Sequence, residues 1–210
     1  MFINKTKFKK LVKDTYSGGG LLVGQTESGI LIVGGEGWQL EIDKEYMCKE
    51  HLAAIIECTG YIPEKGEAIK FIKHKDGCEE QETMIETAYQ DLLSEWAERA
   101  NDKGCQYSFT RIILASDNGY QWVMQNNTCA QEKCFMYNHI AMMIDRTLVD
   151  TEAGEEFPVF ASRSNDCFMF FGNATMVLMV KKWTPVYDGE IELAQKLTEV
   201  KGIYPLIASN

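Results

Sequence analysis

The chain has 210 residues, of which 45% are hydrophobic, so it can bury the core of one large domain or of two small ones. Its formal net charge is −10, which argues against a surface that binds nucleic acid or anionic membranes indiscriminately. A local basic patch remains compatible with that balance.

The sequence contains no signal-peptide or membrane-segment pattern. The first ten residues are charged and have no apolar stretch, and the longest apolar run, 168–180, is interrupted by Gly172 and is too short to span a bilayer. The seven cysteines form no CxxC pair, and an odd number of them is typical of reduced thiols rather than of a disulfide framework. We therefore expect a soluble cytoplasmic protein.

The first part of the chain predicts a helix, three strands, a second helix and two more strands. Phe8, Val12 and Tyr16 recur at helical spacing, while glycine-containing turns separate the apolar runs that follow. The predicted helices span 5–16 and 46–59, and the predicted strands span 20–25, 29–34, 38–43, 68–74 and 80–83.

The second part repeats this alternation. Predicted helices span 84–100 and 135–149, predicted strands span 106–115, 120–125, 157–163, 167–171 and 175–183, and the turn after the first of these strands is Asp117-Asn118-Gly119. A last amphipathic helix carries Ile191, Ala194, Leu197 and Val200 on one side and ends at Gly202. The apolar tail 203–208 either contacts another chain or docks on its own sheet.

Two stretches of the sequence echo each other without a gap. The segments 51–67 and 139–155 share a histidine at their first position and a glycine-glutamate pair at their last. These matches indicate a duplicated helix and turn, in which His51 and His139 occupy equivalent helical positions. Chance similarity is the alternative.

Helices and antiparallel strands that alternate in this way predict an α+β protein. We divide it into two similar helix-plus-sheet domains, 1–83 and 84–183, followed by a C-terminal helix and tail at 184–210.

This element order resembles that of the DNA sliding clamps, the ring-shaped processivity factors of replication. The resemblance covers 1–183 and is carried best by FTRIILASDNGYQWVMQ (109–125) and FPVFASRSNDCFMFFGNATMVLMVKKW (157–183). It implies helices that line a hole, sheets on the outside, a closed homo-oligomer (a trimer for a two-domain chain) and a non-enzymatic scaffold on double-stranded DNA. The predicted helix 84–100 departs from the family, because its outer face is acidic.

The candidate DNA-binding residues lie in the first helix. Lysine side chains neutralise phosphates as point charges and release counterions, so a lysine cluster suits contact with duplex DNA. A solvated helix face is the alternative interpretation. The residues are Lys5, Lys7, Lys9, Lys10 and Lys13.

We expect no metal and no cofactor. Cys48 and His51, together with His74 and Cys78, offer ligands that zinc accepts, but their spacing is irregular and scattered core thiols and surface histidines explain them better. Cys129, Cys134 and His139 form a similarly irregular set.

Catalytic pairs are not expected either. His51 with Glu57, and His139 with Asp145, are six positions apart, and about 240° of helical rotation directs the two side chains of each pair away from each other. The alternatives to a clamp-like scaffold are a small cytosolic module that binds a ligand or a protein without DNA and, less favoured, a metal- or thiol-dependent enzyme.

Overall fold

The fold is described from a computed structural model, which covers residues 1–116, 119–152 and 154–200. Within these residues, eleven strands form one antiparallel sheet with helices on both faces. The predicted α+β class is therefore confirmed. No helix in the described part of the chain is long and apolar enough to cross a membrane.

The first 83 residues contain two helices and five strands close to the predicted positions. The second helix begins later than expected, because residues 44–46 form a 3-10 turn and Cys48 is extended at the helix N-terminus. In chain order the elements are α1 (Lys5–Gly18), β1 (Leu21–Gln25), β2 (Ile30–Gly35), β3 (Trp38–Asp43), α2 (Lys49–Thr59), β4 (Glu67–His74) and β5 (Gly77–Thr83).

The described residues after Thr83 contain four α-helices and six strands. Five of these strands lie close to their predicted positions, and the sixth was expected to be helical. The helices differ more from their predicted positions. In chain order the elements are α3 (Ile85–Ala88), α4 (Leu92–Ala100), β6 (Gln106–Ser116), β7 (Gly119–Asn126), β8 (Lys133–Tyr137), α5 (Asn138–Ala141), β9 (Val159–Ala161), β10 (Phe168–Asn173), β11 (Met176–Lys181) and α6 (Asp188–Glu199).

The prediction of one continuous helix over 84–100 is wrong. Asp91 has a φ of 52°, in the left-handed region that no right-handed helix contains, and it separates α3 from α4. The carboxylate of Glu41 on β3 accepts hydrogen bonds from the backbone N–H groups of Gln90 (2.8 Å) and Leu92 (2.9 Å). These contacts to a distant strand hold the chain in the break between the two helices.

The prediction of a helix over 135–149 is also wrong. Its first residues belong to β8, in which Cys134 and Met136 enter one core cluster and Phe135 enters another on the opposite side. A strand that is apolar on both faces has no alternation, so its composition does not distinguish it from a buried helix. Only α5 is α-helical, a 3-10 turn follows at Arg146–Leu148, and between them Ile144 forms an antiparallel bridge with Ile3.

The two echoing segments consequently differ in local structure. His51 lies in α2, which is helical up to Thr59, whereas His139 lies in the single turn of α5. Each of these helices nevertheless follows the third strand of its part of the chain. The echo marks elements at the same place in the order, but it does not predict equal helices.

The sheet has the strand order β5-β4-β1-β2-β3-β11-β10-β9-β6-β7-β8. In both parts a three-stranded meander is followed by a helix and by a strand that returns beside the first strand of the meander. The two parts meet where β3 pairs with β11, from Trp38 opposite Val180 to Ile42 opposite Met176. One sheet thus runs through both proposed domains, and the division at 83 and 84 stays a prediction.

Helices cover the two faces of this sheet unequally. On one face α1, α2 and α5 pack over the largest core cluster, with Phe8, Val12 and Ile55 fully buried. On the other face α3, α4 and α6 cover three smaller clusters. The α1–α2 layer therefore lies on one side of the molecule.

Three of the predicted features lie outside the described residues. They are the turn residues Asp117 and Asn118, the helix stop at Gly202 and the apolar tail 203–208.

Candidate nucleic-acid interface

The candidate interface is built on α1, whose position is fixed by its apolar side. The helix begins after Asn4, which accepts a hydrogen bond from the backbone N–H of Lys7 at 3.2 Å and so caps the first turn. Phe8 and Val12 are buried against the sheet. At the other end Gly20 adopts a φ of +98°, which turns the chain into β1. Because the apolar side faces the sheet, the lysines lie on the remaining surface of the helix.

Three of the five lysines form a row that faces α2. Lys5, Lys9 and Lys13 follow one another at four-residue spacing, so they lie on the same side of the helix. Lys5 Nζ lies 2.7 Å from Glu50 Oε1, and Lys9 Nζ and Lys13 Nζ lie 2.6 Å and 3.1 Å from the two carboxylate oxygens of Glu57. The row is therefore joined to two acidic side chains of the neighbouring helix.

These ion pairs change the ionisation of the groups that form them. The hydrogen bond from Lys5 lowers the pKa of Glu50 to about 2, and the same hydrogen bond raises the pKa of Lys5. Hydrogen bonds from Lys9 and then Lys13 lower the pKa of Glu57. All of these groups are exposed to solvent, where ion pairs contribute little to stability, so a phosphate can compete with the carboxylates.

The other two lysines point away from this row. Lys10 is exposed and Lys7 is half-buried. Among the described residues neither ammonium group forms an ion pair with a carboxylate. The five predicted lysines thus share one helix but divide into a paired row beside α2 and two unpaired side chains.

Glu50 and Glu57 are the members of this surface that were not predicted from the sequence. They are seven residues apart, which is about two helical turns and places them on one side of α2. Lys5, Lys9 and Lys13 likewise share one side of α1 through their four-residue spacing, so complementary charge patterns on two predicted helices were the available signal. Only the packing of α1 on α2 decides that the two patterns meet.

The histidines and cysteines do not assemble as a metal site would require. His74 on β4 contacts Glu79 at 2.8 Å, as a surface histidine does. His51 is 1% exposed, so its interpretation as a surface histidine is wrong. Within 1–116, 119–152 and 154–200 no group of three or more histidine, cysteine or acidic side chains lies close enough to hold a metal ion.

Comparisons with known proteins give a likeness in fold but no family assignment. No family model matches the sequence, and no curated protein matches it. Among solved structures, the chain is similar to a Helicobacter pylori beta clamp (8% identity, TM-score 0.37), with 90% of this chain and 66% of that chain covered. It is also similar to a DNA polymerase sliding clamp from Bacillus subtilis (10% identity, TM-score 0.36), with 88% and 64% covered.

A third similar structure is the Helicobacter pylori beta clamp bound to a DNA ligase peptide (8% identity, TM-score 0.39), with 88% of this chain and 66% of that chain covered. The chain thus spans slightly less than two thirds of the length of these clamps. They belong to the family that the element order resembles. At these identities the likeness concerns the fold and not the residues of the candidate interface.

Proposed function

We propose that the protein is a non-enzymatic, clamp-like scaffold that associates with double-stranded DNA through the lysines of α1. The observation that supports this proposal is the concentration of positive charge on one helix of an acidic protein. Five lysines and a single aspartate lie on α1, whereas the whole chain has a net charge of −10. Such a surface attracts the phosphate backbone locally, while the remaining surface repels it.

The contact with DNA would be independent of base sequence. Lysine side chains bind phosphates, which are the same at every step of the duplex. Such contacts hold the protein on DNA without reading the base sequence. An exposed helix face of this kind suits a protein that stays on DNA and positions other proteins. We further propose that it acts in the cytoplasm, where its seven free thiols stay reduced.

The proposal is tested by measuring binding to a fluorescent duplex as a function of salt. We expect weak binding at low salt that weakens further as salt is added. In the triple variant Lys9→Gln/Lys10→Gln/Lys13→Gln, affinity should depend less steeply on salt. The magnitude of the slope of log affinity against log salt should decrease by roughly 0.9 for each lost phosphate contact. Glutamine is used because glutamate would repel Glu57.

A matched control carries the same loss of charge elsewhere. Lys75, Lys103 and Lys196 lie on a turn, a 3-10 helix and α6, and all three are exposed. Their replacement by glutamine should leave both the affinity and the salt slope close to those of the unmodified protein. If the wild-type chain binds no duplex at low salt, or if both triple variants lose the same affinity, α1 is not a DNA-binding surface.

One observation favours the alternative of a module that binds a ligand or protein without DNA. Glu50 and Glu57 neutralise part of the lysine row. Under the DNA proposal, Glu50→Gln with Glu57→Gln should free these lysines and tighten duplex binding. Under the alternative, the double variant should still fail to bind DNA.

A further inference from the structure

The thiol of Cys48 and the imidazole of His51 form a pair that the lysine surface does not use. Cys48 Sγ lies 2.5 Å from Nδ1 of His51, and the other ring nitrogen, Nε2, lies 3.0 Å from the carbonyl oxygen of Ile3. Cys48 occupies the N-cap position of α2, but its side chain makes no capping hydrogen bond and contacts the histidine instead. A nucleophile, a base and a group that orients the base are therefore present together.

The carbonyl of Ile3 decides where the ring proton lies. A carbonyl oxygen can only accept a hydrogen bond, so Nε2 must carry the hydrogen. In the neutral ring Nδ1 is then the acceptor, and the S–H of Cys48 donates to it. The imidazole is thus held in the tautomer that can take the thiol proton.

The surroundings keep this base in place. His51 is 1% exposed and its ring centroid lies 5.0 Å from that of Phe8, so it cannot turn away from the thiol without disturbing the core under α1. Burial lowers the pKa of His51, which favours the neutral imidazole that can accept a proton. The charged groups that face the pair are Lys5, Glu50 and the N-terminal amine.

We propose that Cys48 is a site of covalent thiol modification, in which His51 acts as the base and a peroxide is the reacting partner. The sulfur attacks one peroxide oxygen, so an S–O bond forms while the O–O bond breaks. The thiol proton passes to Nδ1 of His51 and then to the departing oxygen, which leaves as water. Sulfur is oxidised by two electrons to a sulfenic acid, and the peroxide is reduced by the same two electrons.

The same helix provides an internal comparison. Cys58 lies ten residues further along α2 and is also half-buried, but burial raises the pKa of its thiol and, within the described residues, no histidine contacts it. Cys129 is exposed and likewise has no histidine contact among those residues. Differences in oxidation rate between Cys48 and these two thiols therefore separate the effect of the histidine base from the effect of solvent exposure.

The experiment treats the full chain with hydrogen peroxide at neutral pH and follows each cysteine by mass spectrometry after trapping sulfenic acid with a 1,3-dione. Cys48 should be oxidised at least tenfold faster than Cys58 and faster than the more exposed Cys129. The variant His51→Gln keeps a donor for the carbonyl of Ile3 but removes the base. This variant should slow the oxidation of Cys48 by at least tenfold and leave the oxidation rate of Cys129 unchanged.

The wild-type comparison decides the matter even if His51→Gln does not fold. Oxidation of Cys48 at or below the rate of Cys129 in the wild-type chain would overturn the proposal. So would a folded His51→Gln protein, with an unchanged circular dichroism spectrum, in which Cys48 reacts as fast as before. The readout is the oxidation of Cys48 and uses none of the lysines of α1, so neither result decides whether the protein binds DNA.

Discussion

Glu41 is the residue that most directly joins the two parts of the chain. It is fully buried on β3, and besides the two backbone N–H groups before α4 it accepts a hydrogen bond from Gln39 Nε2 at 2.9 Å. Its carboxylate thus lies near the N-terminus of α4, where the exposed N–H groups of a helix favour negative charge. Desolvation nevertheless raises its pKa, because burial outweighs the hydrogen bonds that lower it.

We predict that Glu41→Ala lowers the free energy of unfolding by roughly 3 kcal/mol, because buried donors lose their acceptor. Urea denaturation followed by circular dichroism measures this loss. The control Glu45→Ala removes an exposed carboxylate from the 3-10 turn that follows β3, and it should change stability by less than about 0.5 kcal/mol. Equal effects of the two variants would show that the contacts of Glu41 stabilise nothing.

Because the pKa of Glu41 is raised, the stability lost in Glu41→Ala should depend on pH. A raised folded-state pKa contributes stability that is complete below the unfolded-state pKa and is lost as pH rises through the folded value. Glu41→Ala removes this contribution, so the variant should lose more stability at about pH 4 than at about pH 7. A loss that grows with pH would contradict the assignment.

At the scale of elements, the position of α4 depends on a glycine in the strand beneath it. Trp96 of α4 donates from Nε1 to the carbonyl of Val159 at 3.0 Å, and its ring covers Gly172 on β10. A Cβ atom at Gly172 would lie 2.9 Å from three atoms of that ring, closer than side chains pack. The helix can lie this near to the sheet only because the strand has no side chain there.

We predict that Gly172→Ala costs about 1–3 kcal/mol of unfolding free energy, the usual cost of an overpacked core, and that the fluorescence of the tryptophans changes. Gly189→Ala is the matched control, since Gly189 lies in α6 with nothing within 4 Å of its Cβ position. Alanine there should be neutral or stabilising by up to about 1 kcal/mol. A neutral Gly172→Ala would mean that α4 does not rest on β10.

At the scale of the whole molecule, the two edges of the sheet differ. β5 is an edge strand with Glu79, Glu80 and Glu82 exposed, so two copies of it would place like charges opposite each other. β8 is the other edge, and the carbonyl of Phe135 is already bonded to the backbone N–H of Trp183 at 2.9 Å. We propose that copies associate by pairing β5 of one with β8 of the next, the head-to-tail kind of contact from which rings are built.

We predict concentration-dependent self-association, measured by light scattering after size-exclusion chromatography. Glu82→Lys on β5 should change the association, because it alters the charge along the pairing edge. Glu86→Lys makes the same change of charge on α3, outside the edge, and should leave the association unchanged. A monomer at high micromolar concentration would exclude a free-standing ring.

The sequence by itself determined the fold class, the first five strands, α1 and α2. Each of these elements is marked locally, either by the periodic spacing of its apolar residues or by the glycine-containing turns beside it. It also determined that the lysines of α1 lie off the apolar side. It did not determine the break at Asp91, since the cause is a carboxylate fifty residues away on β3. Nor did it distinguish β8 from a helix, because a strand buried on both faces has no alternation to read.

The tertiary structure alone decided what the charged and polar groups contact. Packing of α1 on α2 brings Glu50 and Glu57 to the lysine row, and it buries His51 between Phe8 and the carbonyl of Ile3. Cys48 and His51 are close in sequence, yet their pairing requires the tautomer that this carbonyl fixes. Contacts of this kind join residues that are distant in sequence, so no local pattern predicts them, and only the folded arrangement of the helices over the sheet places them together.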